Sequence, residues 1–139
     1  MGARALIGLV LLPICLGLVG CDPFNRDEFK HELDTLHSVS AEGGLLAGQV
    51  AKQDSQTAFV RVQAGHLAST ADARAEKLTD ADVPAELQAQ VQRTISLAGD
   101  ISSQLQDLEF SPGDASKATQ VQNKLRALTG AIDRVAAGL

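Results

Sequence analysis

The sequence has no tryptophan and no tyrosine, and phenylalanine appears only four times in 139 residues. Aromatic and β-branched side chains fill pleated sheets, and stacked aromatics carry single-stranded nucleic acid, so this scarcity argues against both. Cysteine is confined to Cys15 and Cys21. Neither a disulfide framework nor a CxxC or Cys/His zinc spacing can be assembled from them. Proline occurs four times, which leaves long stretches free of helix breakers. Methionine occurs once, as Met1, so there is no methionine to ligate haem, and there is no CxxCH attachment motif. Positive charge is also in short supply. Beyond Cys21 the chain carries 11 Lys and Arg against 17 Asp and Glu, a formal charge of −6. Nucleic acid binds clustered cations that displace its counterions, so it is not an expected partner.

What is present falls into two parts. Residues 1–21 read MGARALIGLVLLPICLGLVGC, with one cation at Arg4 followed by an apolar run from Ala5 to Gly20. Sixteen residues make about 24 Å of helix, short of a hydrocarbon core of roughly 30 Å, and Pro13 interrupts them. The segment therefore reads as a signal-peptide hydrophobic region rather than a spanning helix. Its end, Leu18-Val19-Gly20-Cys21, resembles the lipobox of bacterial lipoproteins. That resemblance covers about 21 residues and names a processing class. It implies cleavage between Gly20 and Cys21, and lipid on the Cys21 sulfur, with palmitate as one acyl chain. It also implies a location at the extracytoplasmic face of a membrane. Asp22, directly after the lipidated position, resembles a retention signal for the cytoplasmic (inner) membrane. Two or three acyl chains make a stable anchor where one does not.

The second part is periodic. Phe29, Leu33, Leu36, Ser40, Gly43, Ala47 and Val50 recur at steps of 4 and 3, the spacing of one helix face. Val60, Ala64, Leu67, Ala71, Ala75 and Leu78 repeat the pattern in a shifted phase, with Asp54 placed to cap a new helix. Pro84 and Glu86 suit a third helix start, ahead of the stripe Leu87, Val91, Ala98, Ile101, Leu105 and Leu108. Ser111-Pro112-Gly113-Asp114 reads as a cap, a first-turn proline and an early acid. The fourth stripe runs from Ala118 to Val135, and Gly138 closes it.

Four segments, near 26–51, 55–79, 84–109 and 113–137, are of nearly equal length and joined by short connections. They predict an all-α, up-down-up-down four-helix bundle. The alternative is a three-helix arrangement with one long helix over 40–79, because no Gly or Pro marks the junction at 51–55. The domain layout expected is a signal peptide over 1–20, a lipidated Cys and short tether over 21–25, and the bundle over 26–139. Gly43, Gly44, Ala47 and Gly48 form a small-residue stripe expected to pack against Ala64, Ala68 and Ala71 of the second helix.

Candidate chemistry is sparse. Glu28-x-x-His31 and Asp34-x-x-His37 have the carboxylate–histidine spacing of di-iron bundles, but both lie on one helix with no partner pair on another. His37 and His66 are the two residues from which a bis-histidine haem site could be drawn. His31 sits among Asp27, Glu28, Lys30, Glu32 and Asp34, read as a solvated face. There is no GxSxG turn and no phosphate-cradling glycine loop. The expectation is a membrane-anchored, non-enzymatic lipoprotein with no catalytic, cofactor or metal residue, binding an envelope protein partner or acting as a scaffold. Its alternative is a metal- or haem-binding envelope bundle.

Overall fold

The computed structural model describes residues 24–139. Helix α1 spans Arg26–Ala51 and is capped by Asn25, whose side-chain oxygen accepts from the Glu28 N–H at 2.9 Å. Asp27 and Glu28 place negative charge in the first turn, where the helix dipole favours it. Phe24, one residue before the cap, packs on Phe29 in the second turn, with ring centroids 6.2 Å apart. This is a hydrophobic staple, and it fixes the direction in which the chain enters the helix. Phe24, read from sequence as tether, is a buried core residue, and Asn25 belongs to the helix cap. Asp22 and Pro23 are thus the residues left between Cys21 and the first packed side chain.

Helix α1 ends with Lys52 as its C-cap and Gln53 at φ 62°, the only described non-glycine residue with positive φ. The Gln53 N–H donates to the Val50 carbonyl at 2.9 Å, and the Asp54 N–H reaches back to Gln49 at 3.0 Å. These paired bonds make a Schellman motif, built here without the usual glycine. The break between the first two helices is therefore present, and the three-helix alternative does not form. Asp54 is committed to that ending rather than to capping the next helix. Helix α2, Thr57–Asp80, starts two residues later than expected, with Gln56 as an N-cap that makes no side-chain bond.

Pro84 opens a single 3-10 turn, Ala85–Leu87, closed by the Leu87 N–H on the Pro84 carbonyl at 2.9 Å. The α-helix proper, α3, runs over Gln88–Phe110. Ser111 is not the cap of the fourth helix. It is the C-cap of α3, donating its N–H to Asp107, and its carbonyl accepts from Asp114 across Pro112-Gly113. Asp114 is the cap instead, taking the Lys117 N–H at 2.9 Å, and α4 spans Ala115–Ala137 with Gly138 as C-cap.

The four helices pack as an all-α bundle in up-down-up-down order. Helix α1 packs most extensively on α4 and α2 on α3; α1–α2 and α3–α4 are looser, and α1–α3 is the diagonal. The first stripe, from Phe29 to Val50, is buried throughout, as are Val60, Ala64, Leu105, Leu125 and Ile132 from the other helices. Ser40 is tolerated in this core because its hydroxyl donates to the Leu125 carbonyl at 2.9 Å, leaving no orphaned polar group.

The small-residue stripe packs on different helices from those expected. A Cβ on Gly43 would lie 2.5 Å from a Leu105 methyl and 3.1 Å from one of Leu125, and a Cβ on Gly48 would collide with the Gln122 amide. The stripe faces α4 and α3, not the alanines of α2. Its lack of side chains admits the bulk of Leu105 and Leu125 beside the α1 backbone. The bundle pairs its first and last helices closely, a choice that adjacency in sequence does not reveal.

Candidate functional site

Gly20 and Cys21, the cleavage and lipidation positions expected from the lipobox, lie outside the described residues. The remaining candidates sit on α1 and α2, and the fold disperses them. His31 is exposed. Its spacing partner Glu28 is engaged with Lys77, at 3.2 Å on α2. His37 turns towards α4 and places Nε2 3.4 Å from Asp133 Oδ1, while Asp34 is exposed to solvent. His66 is exposed on α2. Among the described residues, no group of three or more His, Cys, Asp or Glu side chains is positioned to hold a metal ion.

The polar cluster that does form escaped the sequence reading. Glu32, read as part of a solvated face, is wholly buried. Its carboxylate accepts from Lys77 Nζ at 2.7 Å and from Arg74 Nη1 at 3.3 Å, both on α2. Hydrogen bonding to Glu32, and then to Glu28, raises the Lys77 ammonium above its ordinary pKa of 10.5. A signal for this was available: Glu32 is three residues after Phe29 and four before Leu36, inside the apolar stripe rather than beside it. Removing a carboxylate from water costs several kcal/mol unless it is paired, and two cations here supply the pairing. The cluster ties α1 to α2 at the end of the bundle where the chain enters, across a looser helix pair.

Two open grooves flank α4. The larger, about 470 Å³, lies between α1 and α4, with Ala41, Gly44 and Gly130 as small walls and Arg126, Gln122 and Asp133 among its polar lining. The smaller, about 330 Å³, runs between α3 and α4 past Asp100, Gln104, Lys124 and Leu128. Ser40, Asp133 and the neighbouring His37 supply the residue types of a hydrolytic triad around the larger groove, but not its connectivity. Ser40 is fully buried and donates to the Leu125 carbonyl, Thr129 Oγ1 lies 2.9 Å from it, and the His37 contact runs to Asp133 alone. A nucleophile needs its base within hydrogen-bond reach, and this serine is spent on packing two helices together.

Among the described residues, four large apolar side chains remain exposed: Leu45, Phe59, Val62 and Phe110. In the up-down-up-down order, the C-terminal ends of α1 and α3 and the N-terminal end of α2 share one end of the bundle. All four residues lie towards that end, away from Phe24. No helix among the described residues is long and apolar enough to cross a membrane. No protein-family model, curated protein or solved structure matches the chain.

Proposed function

We propose that this chain is a bacterial envelope lipoprotein, cut between Gly20 and Cys21, acylated on the Cys21 sulfur, and held as a helical scaffold against a membrane surface. The observation that carries the reading is the junction of two features. A lipobox-like Leu18-Val19-Gly20-Cys21 stands at the end of a short apolar run, and a capped, stapled bundle begins three residues later at Phe24. Three residues span at most about 10 Å, so a lipid on Cys21 would hold the bundle against the bilayer rather than let it range away from it. Asp22 supports the outer face of the cytoplasmic membrane as the location. The role is interaction rather than catalysis: Asn25 is engaged in a cap, Glu32 and Lys77 in the buried cluster and Ser40 in a helix–helix contact, while His31 and His66 stand apart on the surface. The grooves beside α4 and the exposed apolar side chains offer surface to an envelope protein partner.

Radiolabelled palmitate fed to a bacterial host expressing the full chain tests this directly. The label should enter the protein, and Cys21→Ala should abolish both labelling and cleavage. A wild-type chain that takes up no palmitate would overturn the reading.

A further inference from the structure

The tether and three of the four exposed apolar side chains together select one face of the bundle; the fourth, Phe110, ends α3 and lies off it. The Gln63 amide donates to Glu42 at 3.2 Å and so sets the register between α1 and α2. From that bridge, Leu45 is one turn onward along α1 and Phe59 one turn back along α2. Because the helices run antiparallel, both steps lead towards the same end, and Leu45 and Phe59 come to one level on adjacent rows. Val62, three residues from Phe59, flanks them. Leu45 is 71% exposed, Phe59 53% and Val62 71%.

The rows themselves carry little charge. Between His31 and Gln49 the outward row of α1 runs His31, Thr35, Ser38, Glu42, Leu45 and Gln49, beyond the Asp27 and Glu28 of its first turn; on α2 it runs Phe59, Gln63, His66, Thr70, Ala73 and Lys77. Twelve positions hold one carboxylate and one ammonium, in a chain with a formal charge of −5. The three acids of α2, Asp72, Glu76 and Asp80, follow one another at steps of 4 on the opposite flank.

We infer that the α1–α2 face lies flat on the lipid bilayer, with Leu45, Phe59 and Val62 dipping into its surface. The inference rests on the proposed lipid at Cys21. A tether of at most about 10 Å enters at the start of α1, so a face containing α1 can reach the bilayer without strain. Turned over onto α3, the bundle would lift α1 by an interaxial distance of about 8–10 Å plus a helix radius of about 5 Å, beyond the reach of the tether. Of the two faces that include α1, the α1–α4 face presents a groove lined by Arg126 and Asp133 as well as Leu45, so Leu45 stands on the ridge that both faces share, and it is Phe59 and Val62 of α2 that favour the α1–α2 face. Tethering keeps the local concentration of surface high, so three shallow apolar contacts suffice to set the orientation.

Gln49 and Asn123 make the test. Gly48 abuts Gln122 across the α1–α4 contact, so their exposed neighbours Gln49 and Asn123 stand at one level along the bundle but on different faces. Gln49→Cys and Asn123→Cys are each introduced into the full chain, lipidated in a bacterial host and labelled with an environment-sensitive fluorophore. Both are then reconstituted into phosphatidylcholine vesicles containing doxyl-labelled lipid. The label at 49 should shift to the blue and be quenched several-fold more than the label at 123. Leu45→Ser with Phe59→Ser should abolish that difference while vesicle flotation persists. Protein that carries palmitate and floats, yet is quenched equally at both positions or more at 123, would overturn the flat orientation alone. Protein that carries no palmitate and does not float would overturn the anchor, and the orientation with it.

Discussion

The Glu32 carboxylate, without any exposure to solvent, meets Lys77 Nζ at 2.7 Å across the α1–α2 interface. A residue that looks like surface thus becomes the most confined charge among those described. Replacing Glu32 by Ala removes a buried anion that two cations share and leaves a cavity beside them. A loss of about 2 kcal/mol is expected, read as a lower denaturant midpoint in urea unfolding, from the lost charge-assisted hydrogen bonds; Lys77 and Arg74 are 44% and 32% exposed, so solvent takes up their charge.

Lys77 supplies a pH test. Its pKa is raised in the fold, first by the hydrogen bond from its ammonium to Glu32 and then by that to Glu28. A cation whose folded pKa exceeds its unfolded one adds stability that is complete below the unfolded value and fades as pH climbs through the folded one. The ordinary value is 10.5, so the loss falls above that pH. Lys77→Met should therefore narrow the gap in thermal midpoint between pH 9 and pH 11.5, and an unchanged gap would contradict the pairing. The effect is small, since the Lys77 side chain is 44% exposed and solvent screens the pair.

Gln53 occupies a left-handed conformation at φ 62° and is exposed. Side chains with a Cβ pay sterically for that conformation and glycine does not, so Gln53→Gly should stabilise the protein by about 0.5–1 kcal/mol. Gln53→Val, with its branched Cβ, should move the midpoint the other way.

The glycines of α1 and α3 separate packing from propensity. Alanine at Gly99 meets nothing within 4 Å, and at Gly44 it meets Leu125 Cβ at an ordinary 3.9 Å. Both substitutions should add about 0.5–1 kcal/mol through helix propensity. At Gly43 the new methyl would press on Leu105 at 2.5 Å in the centre of the core. Overpacking of that kind typically costs about 1–3 kcal/mol, so Gly43→Ala should be net destabilising. Urea titrations of the three variants check the sign in each case.

Phe24→Ala removes the staple that closes the first turn of α1. Full truncation of a buried Phe costs about 3–5 kcal/mol, and the lower end is expected at a chain entry that can relax. Amide hydrogen exchange should show faster exchange at the first turn of α1 than at its middle, and an even change along the helix would argue against a local role.

Much of this architecture was legible along the chain. The 3-and-4 spacing of Phe29, Leu33, Leu36, Ala47 and Val50 marked the buried face of α1 because burial follows the helical period whatever lies opposite. Helix ends were less legible. Ser111 and Asp114 are both good caps by residue type, and only the turn formed through Pro112-Gly113 decides between them. The break after α1 lacked its usual glycine because Gln53 accepts the strained conformation instead.

The sequence by itself determined the all-α class, the buried stripes of the helices and the apolar run ahead of Cys21, all properties of local spacing and composition, while the break at 51–55 that makes the helices four was left to the structure. Tertiary structure decided which helices embrace: α1 with α4 and α2 with α3, so that the glycines of α1 receive Leu105 and Leu125 rather than the alanines of α2. It also decided that Glu32 is buried and that Phe24 belongs to the core. These outcomes depend on what each face meets across the bundle, and periodicity records which residues turn inward without recording what they find there.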